Sequence, residues 1–206
     1  MPPADLASRP SSGDLTPGPG SSRNEASVAR SDRGRLERGV TVWFTGLPSS
    51  GKTTITRALE RRLTVAGFPV ETLDGDVVRT HLTRDLGYSR DDRDENVRRV
   101  GFVAELLSRH GVVVLCSLVS PYRAARDEVR ARHLGRFFEV YVSTPPEVCA
   151  QRDVKGLYAR ARSGEVTGMT GVDDPYEPPL APELEVPAHL QTLEESVESV
   201  WNALHS

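Results

Sequence analysis

The chain has 206 residues, a formal net charge of -3, and 37% hydrophobic against 27% charged residues, the balance of a soluble globular protein. Near-neutral charge gives no electrostatic footprint for nucleic acid, and no apolar stretch approaches membrane-spanning length. Cys116 and Cys149 stand far apart in apolar surroundings, which predicts buried reduced thiols and a cytoplasmic location.

Residues 1–38 are rich in Pro, Gly and Ser and have almost no periodic apolar positions. Such a segment cannot bury enough surface to offset its ordering entropy, so a disordered N-terminal tail is expected. It has no apolar core of a secretory signal, and Asp5, Asp14, Glu25 and Asp32 argue against a transit peptide. Residues 39–206 are then read as one domain.

Val40–Thr45 reads as a buried strand, and Thr53–Ala66 as a helix with Ile55, Leu59 and Leu63 on one face. Gly67 and Pro69 end that helix. Val70–Leu73 predicts a second strand, running into Asp74-Gly75-Asp76, with a short helix over Val77–Leu82. Asp91–His110 is the longest expected helix, striped by Val97, Val100, Ala104 and Leu107. Val112–Ser117 is apolar on both faces, as a central parallel strand should be. Pro121 suits the first turn of the next helix, through Arg132. Phe137–Ser143 is the fourth strand and Pro146–Arg152 a short helix. Asp153–Pro182, punctuated by glycines and charges, reads as an ordered loop or lid. Leu184–Val186 is a fifth strand. Thr192 and Glu195 form a capping box for a last helix ending near Leu204. Repeated strand–helix units predict an α/β three-layer fold: a parallel five-stranded sheet, helices on both faces, and a basic lid. The ligand belongs at the carboxyl ends of the strands.

Between the first strand and first helix runs Gly46-Leu47-Pro48-Ser49-Ser50-Gly51-Lys52-Thr53, a complete G-x-x-x-x-G-K-[ST] phosphate loop. Gly46 and Gly51 allow N–H groups to turn onto phosphate oxygens. Lys52 adds a point charge that reaches the β- and γ-phosphates, and the Thr53 hydroxyl is a ligand for Mg²⁺. No Asn-Lys-x-Asp guanine-reading segment is present, which excludes a GTPase. The third strand carries no aspartate at its carboxyl end, so an ordinary Walker B ligand is missing. Asp74 and Asp76 are the nearest substitutes: one could hold Mg²⁺ and the other accept a proton, although Asp-Gly pairs also form plain turns. Arg79, Arg93, Arg98 and Arg99, then Arg152, Lys155, Arg160 and Arg162, are partly solvated helix faces. A basic lid among them suits phosphoryl transfer, where charge spreads over the migrating oxygens.

Six linked segments then resemble the adenylylsulfate kinase family: Leu73–Arg79, Asp85–Ser89, Asp92–Arg99, Ser120–Arg123, Arg152–Tyr158 and Gly168–Glu177. The likeness runs from Val40 to Leu184 in order and spacing. It implies a P-loop kinase that uses ATP and Mg²⁺ to phosphorylate the 3′-hydroxyl of adenosine 5′-phosphosulfate, in sulfate activation. It implies catalytic roles for Lys52, Asp74, Asp76 and Ser120, with Thr53 and Asp74 toward the metal. ATP contacts fall on Gly46, Leu47, Pro48, Ser49, Ser50, Gly51, Lys52, Thr53, Thr54 and Arg152. Acceptor contacts fall on Asp74, Gly75, Asp76, Val77, Arg79, Tyr88, Arg93, Asn96, Leu118, Val119, Lys155, Gly168 and Met169. Tyr88 offers a ring for adenine stacking, and arginines can hold phosphosulfate oxygens bidentately. Ser120 stands where the family's serine has been assigned a phosphoserine role; it could equally hydrogen-bond substrate or cap the helix at Pro121.

Val77, Leu118 and Met169 depart from the usual Asn, Phe and Phe, which leaves room for a specialised pathway. Met still offers cover for an adenine face, less rigidly than a ring. The resemblance implies a homodimer. Two alternatives stand beside it: a P-loop kinase of another acceptor, and a catalytically silent nucleotide-binding regulator of a partner such as a sulfurylase.

Overall fold

The structure, a computed structural model, describes residues 34–206. Most of the segment expected to be a disordered tail therefore lies outside the described residues. Of its last residues, Gly34–Glu37 form a short helix (α1) whose Leu36 is buried.

The remaining elements follow in chain order: β1 Val40–Thr45, α2 Lys52–Val65, β2 Val70–Asp74, α3 Gly75–His81, α4 Arg90–Ser108, β3 Val113–Ser117 and α5 Arg123–Arg132. Then come β4 Phe137–Val142, α6 Pro146–Arg152, α7 Leu157–Arg162, β5 Leu184–Val186 and α8 Leu193–His205. The strands form one five-stranded sheet in the order β2-β3-β1-β4-β5, and every pairing is parallel. β1 and β3 are buried along their whole length, as central strands of a parallel sheet covered on both faces should be.

Alternation along β1 divides the core into two layers. Val40, Val42 and Phe44 face Ile55, Leu59 and Leu63 of α2 and Val200 and Leu204 of α8. Trp43 faces the other way, toward Val97, Val100 and Ala104 of α4 and Val129 of α5. Full burial of each such side chain stabilises by roughly 1.5–3 kcal/mol. A third cluster lies away from the sheet core: Leu47, Cys149, Tyr158 and Met169 pack the lid against the phosphate loop.

Two local expectations need correction. The helix after Pro121 begins at Arg123, with Tyr122 in extended backbone as its N-cap and no side-chain cap. Pro121 instead follows Ser120, whose φ of 41 turns the chain outside any helix or strand. The lid is not loop alone, because Leu157–Arg162 is helical. The Asp153 carboxylate accepts from the N–H groups of Tyr158 and Ala159, both at 3.0 Å, and so satisfies donors that would otherwise open that helix. The capping box on α8 is present as expected, Thr192 and Glu195 bonding reciprocally at 2.8 and 3.1 Å.

Candidate active site

Parallel register brings the carboxyl ends of β1, β2 and β3 to one edge: Phe44 and Asp74 both lie beside Ser117. The phosphate loop leaves β1 there. Gly46 has φ 148, and a Cβ on it would meet the Val142 carbonyl oxygen at 2.6 Å. Gly51, at φ 111, is the N-cap of α2 and provides no side-chain cap. The first N–H groups of α2 therefore face the loop, and the positive end of the helix dipole lies at the same point.

Lys52 is 7% exposed, and its ammonium donates to the Gly46 and Leu47 carbonyls at 2.9 and 2.7 Å and to Ser50 Oγ at 3.4 Å. Burial pulls its pKa down to about 8. The loop is braced from outside. Thr144 Oγ1 donates to the Ser50 carbonyl at 2.8 Å, and Arg152 reaches the same oxygen at 3.2 Å and the Ala188 carbonyl at 3.1 Å. Tyr158 OH donates to the Pro48 carbonyl at 3.2 Å, tying lid to loop.

Asp74 and Asp76 have different surroundings. Asp74 Oδ2 accepts from Thr53 Oγ1 at 3.0 Å, and its Oδ1 accepts from the Asp76 N–H at 3.0 Å. Asp74 is thereby the N-cap of α3. Asp76 lies in the first turn of α3 and pairs with Lys155 of the lid, with 73% and 55% of the two side chains exposed. An exposed pair of this kind contributes little to stability and is readily exchanged. Ser117 Oγ lies 3.3 Å from Thr53 Oγ1. Thr53, Asp74 and Ser117 offer hard oxygen donors with one carboxylate, which suits Mg²⁺ shared with phosphate oxygens better than a site made wholly of protein. No group of three His, Cys, Asp or Glu residues able to hold a metal occurs among the described residues.

Apart from Asp74, the residues expected to contact the acceptor lie on α3, α4, the segment between them, the chain after β3, and the lid. Arg79 donates to the Gly87 carbonyl at 2.6 Å and lies 4.6 Å from the Tyr88 ring centroid, a ring that is 67% exposed. Arg93 donates to the Tyr88 carbonyl at 2.9 Å and to the Gly168 carbonyl, and sits 3.9 Å from Asp174. Asn96 is buried and accepts from Thr83 at 2.7 Å. Leu118 is buried under the strand ends, while Val119 is half-buried and its carbonyl accepts from Thr45 at 2.9 Å. Gly75 opens α3, and Val77 stands 58% exposed on it. Thr54 follows Thr53 on the first turn of α2. Arg98, Arg99 and Arg160 are occupied by Glu128, by Asp85 and Glu95, and by Glu165, the solvated-face arrangement expected for them.

Met169 and Ser120 are placed differently from the expectation. Met169 is 6% exposed, packed with Leu47 and Tyr158. It closes the apolar joint between lid and loop and does not lie open to cover a ring. Ser120 caps no helix. It is 3% exposed, its Oγ accepts from Trp43 Nε1 at 3.1 Å and donates to Thr45 Oγ1 at 3.0 Å. Thr45 Oγ1 in turn lies 2.9 Å from Tyr176 OH.

Sequence reasoning missed several residues that build the site. Ser117 was detectable as the residue at the topological place of a metal ligand. The Asp173 carboxylate accepts from the Gly168 and Met169 N–H groups at 2.6 and 2.5 Å, which hold it below the usual carboxylate range. Tyr122 donates to Asp174 at 2.8 Å, and burial followed by that bond pushes its hydroxyl up to about 12. The partners of Tyr122, Trp43 and Thr45 lie 52 to 131 positions away, so no local signal marks them.

The profile of the adenylylsulphate kinase family matches residues 38–187. The adenylyl-sulfate kinase of Microcystis aeruginosa is 60% identical over 168 residues, covering 82% of this chain and 92% of its own. The solved APS kinase of Mycobacterium tuberculosis in complex with AMPPNP and APS is 44% identical with a TM-score of 0.78, covering 82% of this chain and 99% of that one. A hexameric APS kinase from Thiobacillus denitrificans is 34% identical with a TM-score of 0.64, over 87% of this chain and 31% of that one.

Proposed function

We infer the function from one premise: the chain belongs to the adenylylsulphate kinase family. It transfers the γ-phosphoryl group of ATP to the 3′-hydroxyl of adenosine 5′-phosphosulfate, giving 3′-phosphoadenosine 5′-phosphosulfate and ADP. The observation that carries this reading is identity of 60% across 82% of the chain, joined to a phosphate loop whose lysine is in place.

Catalysis here is positioning plus charge stabilisation. The N–H groups of the loop and of the α2 terminus take the phosphate oxygens. Lys52 exchanges its carbonyl partners for β- and γ-oxygens, a stronger charge-assisted bond in a dry site. Thr53 and Asp74, with Ser117 behind them, would hold Mg²⁺, which neutralises charge on the triphosphate when bound. Asp74 already accepts two hydrogen bonds. Asp76 is the carboxylate left exposed to the acceptor side, and we assign it to take the 3′-hydroxyl proton. Ser120 Oγ is enclosed between Trp43 and Thr45, which favours direct in-line transfer over a phosphoserine. Arg79, Tyr88 and Arg93 bind the acceptor, and the lid of residues 153–182 carries Lys155 over the phosphates and excludes water. Residues 39–206 carry the activity, in a cytoplasmic homodimer; both buried cysteines are free thiols. A sulfurylase is the natural neighbour, since its product is the acceptor.

A coupled ADP-release assay with ATP and Mg²⁺ tests the assignment. Rate dependent on adenosine 5′-phosphosulfate is expected. Turnover with another alcohol acceptor and none with that nucleotide refutes it, and tight nucleotide binding without turnover for any acceptor means a silent regulator.

A further inference from the structure

Arg126 is 1% exposed, yet no local feature of its helix announces a role. Its guanidinium reaches three different segments. Nε donates to Glu139 Oε1 on β4 at 2.8 Å, Nη1 to the Ser120 carbonyl at 2.6 Å, and Nη2 to the Glu177 carbonyl at 2.6 Å. Its Cζ lies 5.8 Å from the centroid of Tyr176, within reach of a cation–π contact. A planar fork carries its N–H donors on three nitrogens in fixed directions and so reaches acceptors on three separate segments; the donors of a lysine ammonium all sit on one nitrogen at the end of a flexible stem.

The two carbonyls belong to functionally distinct pieces of chain. Ser120 lies in the strained turn after β3, held at φ 41, a conformation that persists only when its surroundings over-determine it. Glu177 lies where the lid returns to the domain. Two further bonds stitch the same two segments: Glu177 N–H to the Pro121 carbonyl and Arg123 N–H to Glu177 Oε2, both at 2.8 Å. Upstream of this anchor the lid carries Asp174, which meets Tyr122 and Arg93, and Gly168, which meets Arg93. The charge itself is compensated by Glu139, whose other oxygen accepts from Arg130 at 3.0 Å.

Resting on the proposed kinase reading, we infer that Arg126, with Glu139 as its counter-ion, is a positioning pair. It sets the Ser120 turn and the return end of the lid as one unit, and so controls the acceptor side without touching the phosphate loop. The pair acts on the reaction through Arg93, Asp174 and the lid, not by contact with a reacting atom.

The test uses the full chain as native protein, the Arg126→Lys variant and the Arg126→Met/Glu139→Leu double variant. The double variant removes both buried charges together, which spares the fold the buried carboxylate that Arg126→Met alone would leave with Arg130 as its remaining cation. In both variants the KM for adenosine 5′-phosphosulfate is expected to rise at least tenfold, with the Kd for ATP, read by calorimetry, within threefold of native. Hydrogen exchange at Arg123 and Glu177 is expected to speed up at least tenfold while the amides of α2 stay protected. A merely structural role would move ATP and acceptor constants together and loosen α2 as well. Equal losses on both substrates, or native acceptor KM with native exchange at Arg123 and Glu177 in Arg126→Lys, overturn the inference. If native protein ignores adenosine 5′-phosphosulfate, the kinase reading fails. The exchange pattern then decides the positioning role by itself, selective loosening at Arg123 and Glu177 supporting it and unchanged protection overturning it.

Discussion

Removing Lys52 should stabilise this protein, although the proposed phosphoryl transfer depends on it. Its ammonium is buried at 7% exposure, and burial lowers its pKa from 10.5 to about 8. At about 1.4 kcal/mol per pH unit, that difference makes the buried charge cost about 3 kcal/mol at neutral pH. Lys52→Met removes this cost and keeps most of the side-chain volume. It also loses the bond to the Gly46 carbonyl, worth about 1 kcal/mol. The Leu47 carbonyl keeps a second donor, the Ser50 N–H at 3.2 Å. A net gain of about 2 kcal/mol follows, or about 4–8 °C in Tm for a domain of this size. The sign with pH is fixed. Between about 8 and 10.5 the unfolded chain holds more protons at this residue than the folded one, so native stability rises there. The advantage of the variant is therefore complete below pH 8 and shrinks as pH climbs toward 10.5. Scanning calorimetry of both ligand-free proteins at pH 7 and pH 10 measures it. ADP release should meanwhile fall at least about a hundredfold in the variant, the scale of losing one preorganised donor to the transferring group. A lower Tm for Lys52→Met at pH 7, or a gain indifferent to pH, would refute the burial argument.

Thr53→Val should leave Tm within a few degrees but raise the Mg²⁺ concentration for half-maximal rate roughly tenfold or more, because it removes a hydroxyl proposed to hold the metal beside Asp74; a Mg²⁺ titration at saturating ATP reads it. His133 is fully buried, its Nδ1 bonds the Val129 carbonyl at 2.7 Å, and Nε2 has no partner among the described residues. Burial lowers its pKa below 6.5, so its neutral form is compatible with folding above that pH and stability declines as pH falls below it. His133→Phe should flatten that part of the acid limb in urea titrations. A Cβ on Gly101 would meet Val129 Cγ2 at 2.5 Å and Cγ1 at 2.7 Å. Gly101→Ala should therefore cost about 1–3 kcal/mol despite better helix propensity, and adding Val129→Ala should recover at least about 1 kcal/mol in a double-mutant cycle.

Much of the architecture was legible because it is written in short-range pattern. A strand-like run located β1, a run apolar on both faces located β3, and apolar stripes at three- and four-residue spacing located α2 and α4. The capping box located the start of α8. The phosphate loop was legible for the same reason: glycines, lysine and threonine act within one turn of chain. Helix starts were less so, as at Arg123, where the turn is decided by bonds to the distant Glu177.

What the amino-acid order determined by itself is the ligand class, the order of strands and helices, and membership in a family whose motifs recur in sequence. What only the tertiary structure decided is the division of labour within the site. Asp74 and Asp76 are two residues apart and chemically alike, yet one is a cap bonded to Thr53 and the other an exposed carboxylate facing the lid. Ser120 and Met169 are enclosed, and Arg126 joins three segments. The physical reason is distance along the chain. Burial and hydrogen-bond partnership are set by groups that only folding brings together, and residue type alone carries no record of which partner will arrive.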